Sequence, residues 1–461
     1  MNKQLLYLFL VLCTACNMQE KEPLTIFSGE IVNPTSQVVF LYKDDVVIDS
    51  AHLDMYNRFS MKLENLKEGL YNFHHAPQYQ YVYLSKGDSL LIRLNTLYFD
   101  ESLVFSGEGE EINNFLIEIF LSSEEEEEIV DNYYQLEPND FSKKIDSLHQ
   151  AKITLLDELQ TEIKLSPSIL AMAEASIDYN SYIFKEKYPF EKFKNSNKTT
   201  FDKISVDFYI YRNELDFNNE KLTYFTPYYD FMKRYFDNLA HAYCATDCDL
   251  EIKTIKNQLH FNIHKLVLID SIVQEKKLKD NLFRNVALTY FLKTHDNVIN
   301  NKLFFDEFQK LSGNNKHIKE IHDLYESVLK MQPEYELPDL KVLDSLGNQT
   351  SIKALAQQSQ NVVFYFWTDK NNSHFKNITN QAKKMADLYP EISFIAISLT
   401  SDHDHWKNTI TESKYSFKNQ YRAADIDSVR NNLIIDGLNK AIITKDGTIV
   451  DAYKDMYSLF Q

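Results

Sequence analysis

Between Thr25 and Leu94 apolar and polar residues alternate with a period of two, in short runs separated by turn residues. Thr25-Ile26-Phe27-Ser28-Gly29-Glu30-Ile31-Val32 is the first run, closed by Asn33-Pro34. Val38–Tyr42, Val46–Ala51, Arg58–Met61, Gly69–Phe73, Tyr81–Leu84 and Ser89–Leu94 follow, with turns at Lys43-Asp44-Asp45 and Lys86-Gly87-Asp88. A strand with one buried face has this alternation, so residues 24–109 predict an antiparallel β-sandwich or barrel. From Glu110 the apolar spacing becomes helical: Ile145, Leu148, Leu155, Leu156 and Leu159 share one face behind a cap at Asn139 or Asp140. Further helices are predicted near 168–187, 199–216, 227–243, 250–274, 278–295, 302–311 and 316–331, with breaks that include Tyr188-Pro189. Residues 110–331 therefore form an all-α region, without the fixed period of a repeat array. Gln332–Pro338 carries two prolines and no periodicity, as a linker does.

Residues 339–461 alternate strand and helix. A hairpin at Lys341–Leu343 and Thr350–Ile352 precedes Val362–Trp367, whose unbroken apolar character suits a central parallel strand. A helix over His374–Leu388, a strand at Ile392–Ser398 and a helix near His405–Glu412 follow, the last packing Trp406. Tyr421-Arg422 is a short strand and Ser428–Leu433 a short helix. Ala441–Thr444 and Thr448–Ala452 close the chain as a hairpin around Lys445-Asp446-Gly447. The fold class is multidomain: β-rich, then all-α, then α/β.

A chain of 461 residues with 44% apolar content is long enough for several cores. Its net charge of −18 disfavours nucleic acid and anionic membrane as partners. At the N-terminus, Lys3 and the apolar run Leu5–Leu12 have the form of a signal segment over residues 1–15, too short to span a bilayer. Thr14-Ala15-Cys16 resembles the end of a lipobox, which implies a lipidated Cys16, a tether over residues 16–23 and a membrane held through that anchor. The alternative is an ordinary signal peptide cut after Ala15. The polar Asn17–Glu22 looks like the tether of Bacteroidetes lipoproteins, which places the chain in the cell envelope, at the outer membrane.

Cys244 and Cys248 would then be the mature chain's two thiols. A local disulfide is the ordinary outcome in an exported protein. A copper site or a redox pair are the alternatives, with no supporting ligand evident. Other polar groupings predict no chemistry. Glu124–Glu128 reads as a solvated helix end or loop. His260 and His264 are spaced for one metal but lack a third ligand and the Glu of a zinc protease. His74-His75 and Asp402–His405 read as surface residues. No cofactor and no metal are expected.

Two resemblances add to this. Ser28–Ile31, Ile48–Ala51, Gly69–Tyr71, Lys86–Ser89 and Phe105–Gly109 resemble the β-rich domain that precedes thioredoxin-like modules in Bacteroidetes lipoproteins, a domain with no assigned chemistry. Leu337-Pro338, Asp344, Gly347, Val362–Trp367 and Ile442–Gly447 resemble the TlpA-type thiol–disulfide reductases and related redoxins, over about residues 335–455. That family carries Cys-x-x-Cys at the start of a helix, where the helix dipole stabilises the attacking thiolate and the second cysteine resolves the mixed disulfide. Counted from Phe366-Trp367, the two cysteines fall on Asn371 and His374. The family's cis-proline falls near Asn439 or Lys440, and a non-proline bond there is expected to be trans. The resemblance thus implies a thioredoxin-like fold that has lost its redox residues and acts as a binding or scaffolding module for an unidentified envelope protein. The alternative is an oxidoreductase working through Cys244 and Cys248 or a partner's cysteines. A third reading is anion capture at the Asn371–His374 loop by a helix N-terminus and a cationic His374.

Overall fold

The computed structural model describes residues 24–193, 204–247, 250–251, 254–255, 257–413, 415–416 and 418–460. The chain divides into two compact units, one ending at Tyr235 and one beginning at Phe236.

The first unit opens with two four-stranded sheets. One has the order Arg58–Leu63, Thr25–Val32, Ser89–Asn95, Val104–Gly107. The other runs Val46–His52, Val38–Lys43, Gly69–His75, Gln78–Leu84. Alternate residues of both sheets, among them Phe27, Met61 and Ile92 from the first and Leu41, Phe73 and Val82 from the second, fill one core. The pairing is not wholly antiparallel as the hairpin-like spacing predicts: Thr25–Val32 and Ser89–Asn95 run parallel, with Phe27 opposite Leu90. Gly29 sits where those strands crowd. A Cβ there would lie 2.4 Å from Ile92 Cγ1 and 2.7 Å from the Ile92 carbonyl oxygen, so the register needs a residue without a side chain.

Helices Glu110–Tyr133, Pro138–Glu162 and Pro167–Phe193 follow. The acidic run lies inside the first of them, not at a solvated end. Glu126 is buried and its Oε2 accepts from Lys152 Nζ at 2.5 Å. The Tyr188-Pro189 break is overridden. Pro189 lies within the third helix, because Tyr188 is fully buried against Phe141, with ring centroids 4.3 Å apart, and its hydroxyl donates to the Leu136 carbonyl. Packing of that side chain outweighs the missing N–H. Where a helix over 199–216 is expected, Val206–Glu214 is 3₁₀.

The second unit contains helices Gln258–Ile272, Lys276–Thr289, Val298–Ser312 and Ile318–Lys330. The expected helix 250–274 begins only at Gln258, where Asn257 Oδ1 accepts the His260 N–H; Leu250–Glu251 and Thr254–Ile255 are instead paired strands. Gln332–Pro338 is not a loose linker. The Glu334 N–H donates to the Ile449 carbonyl at 2.8 Å and the Ile449 N–H to the Tyr335 carbonyl at 2.7 Å, tying the segment to the final hairpin.

A seven-stranded sheet follows, in the order Gln349–Ser351, Lys341–Leu343, Gln420–Ala423, Ile392–Ser398, Asn361–Trp367, Lys440–Lys445, Thr448–Asp455. The central strand Asn361–Trp367 runs parallel to Ile392–Ser398 and antiparallel to Lys440–Lys445. Val362 to Trp367 are all buried, as a strand covered on both faces requires. On one face Val363, Tyr365 and Trp367 pack with Phe375, Ile378 and Ala382 of the Asn372–Leu388 helix and with Trp406 and Ile410 of the His403–Glu412 helix.

Candidate functional site

The strand Asn361–Trp367 leaves the core at Thr368 and the chain turns into the helix at Asn372. Each end of that turn is fixed by a residue type suited to it. Trp367 is fully buried with its ring 4.1 Å from that of Phe375, and its carbonyl accepts the Leu399 N–H at 2.8 Å. Asn371 is the helix cap: its Oδ1 accepts the His374 N–H at 2.9 Å. This satisfies one of the N–H groups that every helix start leaves without a partner. The position that the resemblance assigns to an attacking cysteine is thus held by a neutral amide already engaged with its own helix.

His374 stands one turn into the helix, half-buried. Burial lowers its pKa, although the Asn439 side chain and the Leu438 backbone beside it act in the opposite direction. Neither ring nitrogen has a hydrogen bond of normal geometry among the described residues. Burial thus disfavours the cationic form of His374 that anion capture at this loop needs. Asn439 lies opposite, and its carbonyl accepts the Met456 N–H at 2.7 Å. The backbone at Asn439 is trans. The structure thus brings His374 and Asn439 together, with Asn371 one helical turn away. Cys244 packs instead in a small core with Ala240 and Phe261.

Sequence reasoning missed the polar groups at the carboxyl ends of the two parallel strands. The Asp369 N–H donates to Thr400 Oγ1 at 3.2 Å, and Ser398 Oγ bonds Thr400 Oγ1 at 2.9 Å. Asp369 Oδ2 lies 3.3 Å from His405 Nε2, and Arg422 Nη1 donates to the Ser401 carbonyl at 2.9 Å. Asp402 caps the His403–Glu412 helix. The His405 N–H, followed by weaker contributions, holds its carboxyl below the ordinary carboxylate range. Asp402 and His405 are exposed, as expected of surface residues, and both are engaged there, Asp402 as a helix cap and His405 beside Asp369.

Lys440 is the other unexpected group. It is buried, its Nζ donates to the Ile434 carbonyl at 2.8 Å and lies 4.4 Å from the centre of the Tyr453 ring. Burial pulls its pKa down to about 7, against the opposing pull of Asp436 and Asp451.

No protein-family model matches the chain, and no curated protein matches it. Solved structures do resemble it, over about a quarter of its length. The thioredoxin domain of a thiol-disulfide oxidoreductase from Bacteroides vulgatus is 20% identical, with a TM-score of 0.23, covering 27% of this chain and 93% of that one. A thiol:disulfide interchange protein from Bacteroides sp. is 22% identical, with a TM-score of 0.23, covering 26% of this chain and 81% of that one.

The remaining expectations fall in other places. Cys16, Cys248 and the expected Cys244–Cys248 disulfide lie outside the described residues, as do residues 1–23. Cys244 is buried in a small core with Ala240 and Phe261. His75 is buried, not on the surface, and its Nε2 accepts the N–H groups of Thr35 and Ser36 at 3.0 and 3.3 Å. His74 packs between the rings of Tyr42 and Tyr79. Among the described residues no helix is long and apolar enough to cross a membrane.

Proposed function

We propose that this chain is a lipid-anchored cell-envelope protein whose C-terminal thioredoxin-like part has no thiol-exchange role and serves as a binding or scaffolding module. The observation that carries the reading is the Asn371–His374 cap. Thiol–disulfide exchange needs a thiolate at the helix start and a second sulfur to resolve the mixed disulfide. An amide accepting its own helix's N–H and an imidazole beside Asn439 supply neither. What remains is a rigid strand–loop–helix surface, and a fold of this kind hosts many functions once its chemistry is lost.

The redox half of the proposal is tested by insulin reduction with dithiothreitol as electron donor. The full chain and its Cys244→Ser variant are both expected to give the uncatalysed rate. Turnover by the full chain that disappears in Cys244→Ser would establish the oxidoreductase reading instead.

The anchor half rests on Thr14-Ala15-Cys16 and the polar stretch after it. Cys16→Ser is expected to move the protein from the membrane fraction to the soluble envelope fraction and to abolish labelling by a radioactive fatty acid. Several acyl chains on one cysteine hold a protein far more firmly than one chain does, so the expected partition is nearly complete. Unchanged fractionation of Cys16→Ser would remove the anchor from the proposal.

A further inference from the structure

We propose that Cys244, His260 and His264 form a binding site for a d¹⁰ transition-metal ion, Zn²⁺ or Cu⁺. The two histidines stand four apart on the Gln258–Ile272 helix, so they project from one face. Their ring centroids are 4.0 Å apart. The Thr226–Asp247 helix brings Cys244 against that face, its Sγ 3.3 Å from His264 Nδ1. One donor atom from each of the three residues lies within 4.8 Å of the others.

These spacings suit a shared ion. With metal–sulfur and metal–nitrogen bonds of about 2.3 and 2.0 Å, a tetrahedral centre holds its sulfur and nitrogen donors roughly 3.5 Å apart. The Cys244–His264 distance is already there, and a His260 donor lies within 4.8 Å of both. His260 also gives an independent reason to expect a ligand. Its Nε2 is buried with no hydrogen-bond partner among the described residues. A desolvated imidazole nitrogen without a partner is unfavourable, which a metal bond would relieve.

The surroundings favour a soft ion over a hard one. Ala240, Phe261 and Leu268 pack around Cys244 with apolar surface, and among the described residues no carboxylate belongs to the cluster. Thiolate and imidazole donors select Zn²⁺ and Cu⁺ over Mg²⁺, Ca²⁺ and Mn²⁺, which want oxygen. The nearby Lys265 does not repel the ion strongly, because its Nζ is paired with Asp237 at 2.7 Å. Binding releases the Cys244 proton to solvent and changes no oxidation state, so no co-reactant is needed. Three protein donors complete a trigonal Cu⁺ site and leave Zn²⁺ one position for water.

The test uses the full chain, stripped of metal and reduced. Zn²⁺ and Cu⁺ are titrated separately against a chromophoric chelator, with Co²⁺ as a spectroscopic reporter. One equivalent of Zn²⁺ or Cu⁺ is expected to bind, and Co²⁺ to show a sulfur-to-metal charge-transfer band. Cys244→Ser should abolish that band. His260→Ala and His264→Ala should each weaken binding by more than the 10–100-fold that loss of a mere supporting group costs. Cys244 is fully buried, so Cys244→Ser can disturb packing. His260 is partly exposed, and His260→Ala, checked by circular dichroism, keeps the test independent of folding. The proposal is overturned if neither ion binds stoichiometrically, if blocking the thiol leaves affinity unchanged, or if His260→Ala binds as the parent does.

Discussion

Glu186→Ala is expected to lower the stability of the unit that contains it by about 3–5 kcal/mol, the usual consequence of removing one partner from a buried ion pair. Glu186 is fully buried in the Pro167–Phe193 helix. Its Oε1 accepts from the Tyr211 hydroxyl and from Arg212 Nε, each at 2.8 Å, and its Oε2 from Arg212 Nη2 at 2.5 Å. The guanidinium does not shed its charge when its carboxylate is removed, because an arginine side chain is not deprotonated in proteins. Without Glu186 a cation stays beside the rings of Tyr209 and Tyr235 with its carboxylate gone. A combined Glu186→Leu, Arg212→Met variant should be less destabilised than Glu186→Ala, because the whole charge pair is then replaced by apolar volume. Hydrogen exchange of amides in the Pro167–Phe193 helix is the suitable measurement, as a chain of two units need not unfold in one step. A loss below about 1 kcal/mol for Glu186→Ala would mean that the pair behaves as a surface bridge.

The contrast between Glu186 and the Asn371 loop shows where a sequence is informative. At Asn371 the relevant forces are local. An apolar run followed by a short polar stretch and helical apolar spacing predicts strand, turn and helix, and the structure has the strand at Asn361–Trp367 and the helix at Asn372–Leu388, two residues earlier than expected. The period-two runs of the β-rich segment are legible for the same reason, since each strand shows its buried face on its own. What is not legible depends on meetings across long separations. Nothing local to Thr25–Val32 shows that it pairs in parallel with Ser89–Asn95. Nothing in the acidic run marks Glu126 as the one carboxylate that meets Lys152, 26 residues away. The helical spacing of His260 and His264 is visible at once, but Cys244 joins them only through the packing of a second helix. Pro189 is the converse case: a strong local signal is overruled by the burial of its neighbour Tyr188.

Lys440→Met is expected to change how stability depends on pH, with the largest effect between about pH 7 and pH 10. Burial lowers the Lys440 pKa from 10.5 to about 7. In that interval the unfolded chain holds a proton that the folded chain does not, so folding is favoured more as pH rises, by up to about 1.4 kcal/mol per pH unit. Below pH 7 both states are protonated, and the folded state bears the full cost of a buried cation. The charged groups around the amine explain why that cost is not cancelled. Asp436 and Asp451 both pull the pKa upward, but Asp436 is also bound by Lys293 Nζ at 2.7 Å. On the remaining side Tyr453 presents its ring face, and the His295 ring stacks on it at 4.1 Å with its own pKa lowered by burial, so it adds no charge at neutral pH. Methionine removes the charge and keeps the volume, at the expense of the bond to the Ile434 carbonyl. The variant should therefore be more stable than the parent at pH 6, and its advantage should shrink and then reverse by pH 10, where the neutral amine still donates that bond. Urea unfolding of both proteins at several pH values reads the difference directly and cancels groups common to the two. Parallel pH profiles would mean that Lys440 titrates as an ordinary exposed lysine. The position gives the result its functional weight: Lys440 follows Asn439 directly, so a proton exchanged near neutral pH lies next to the loop that faces His374.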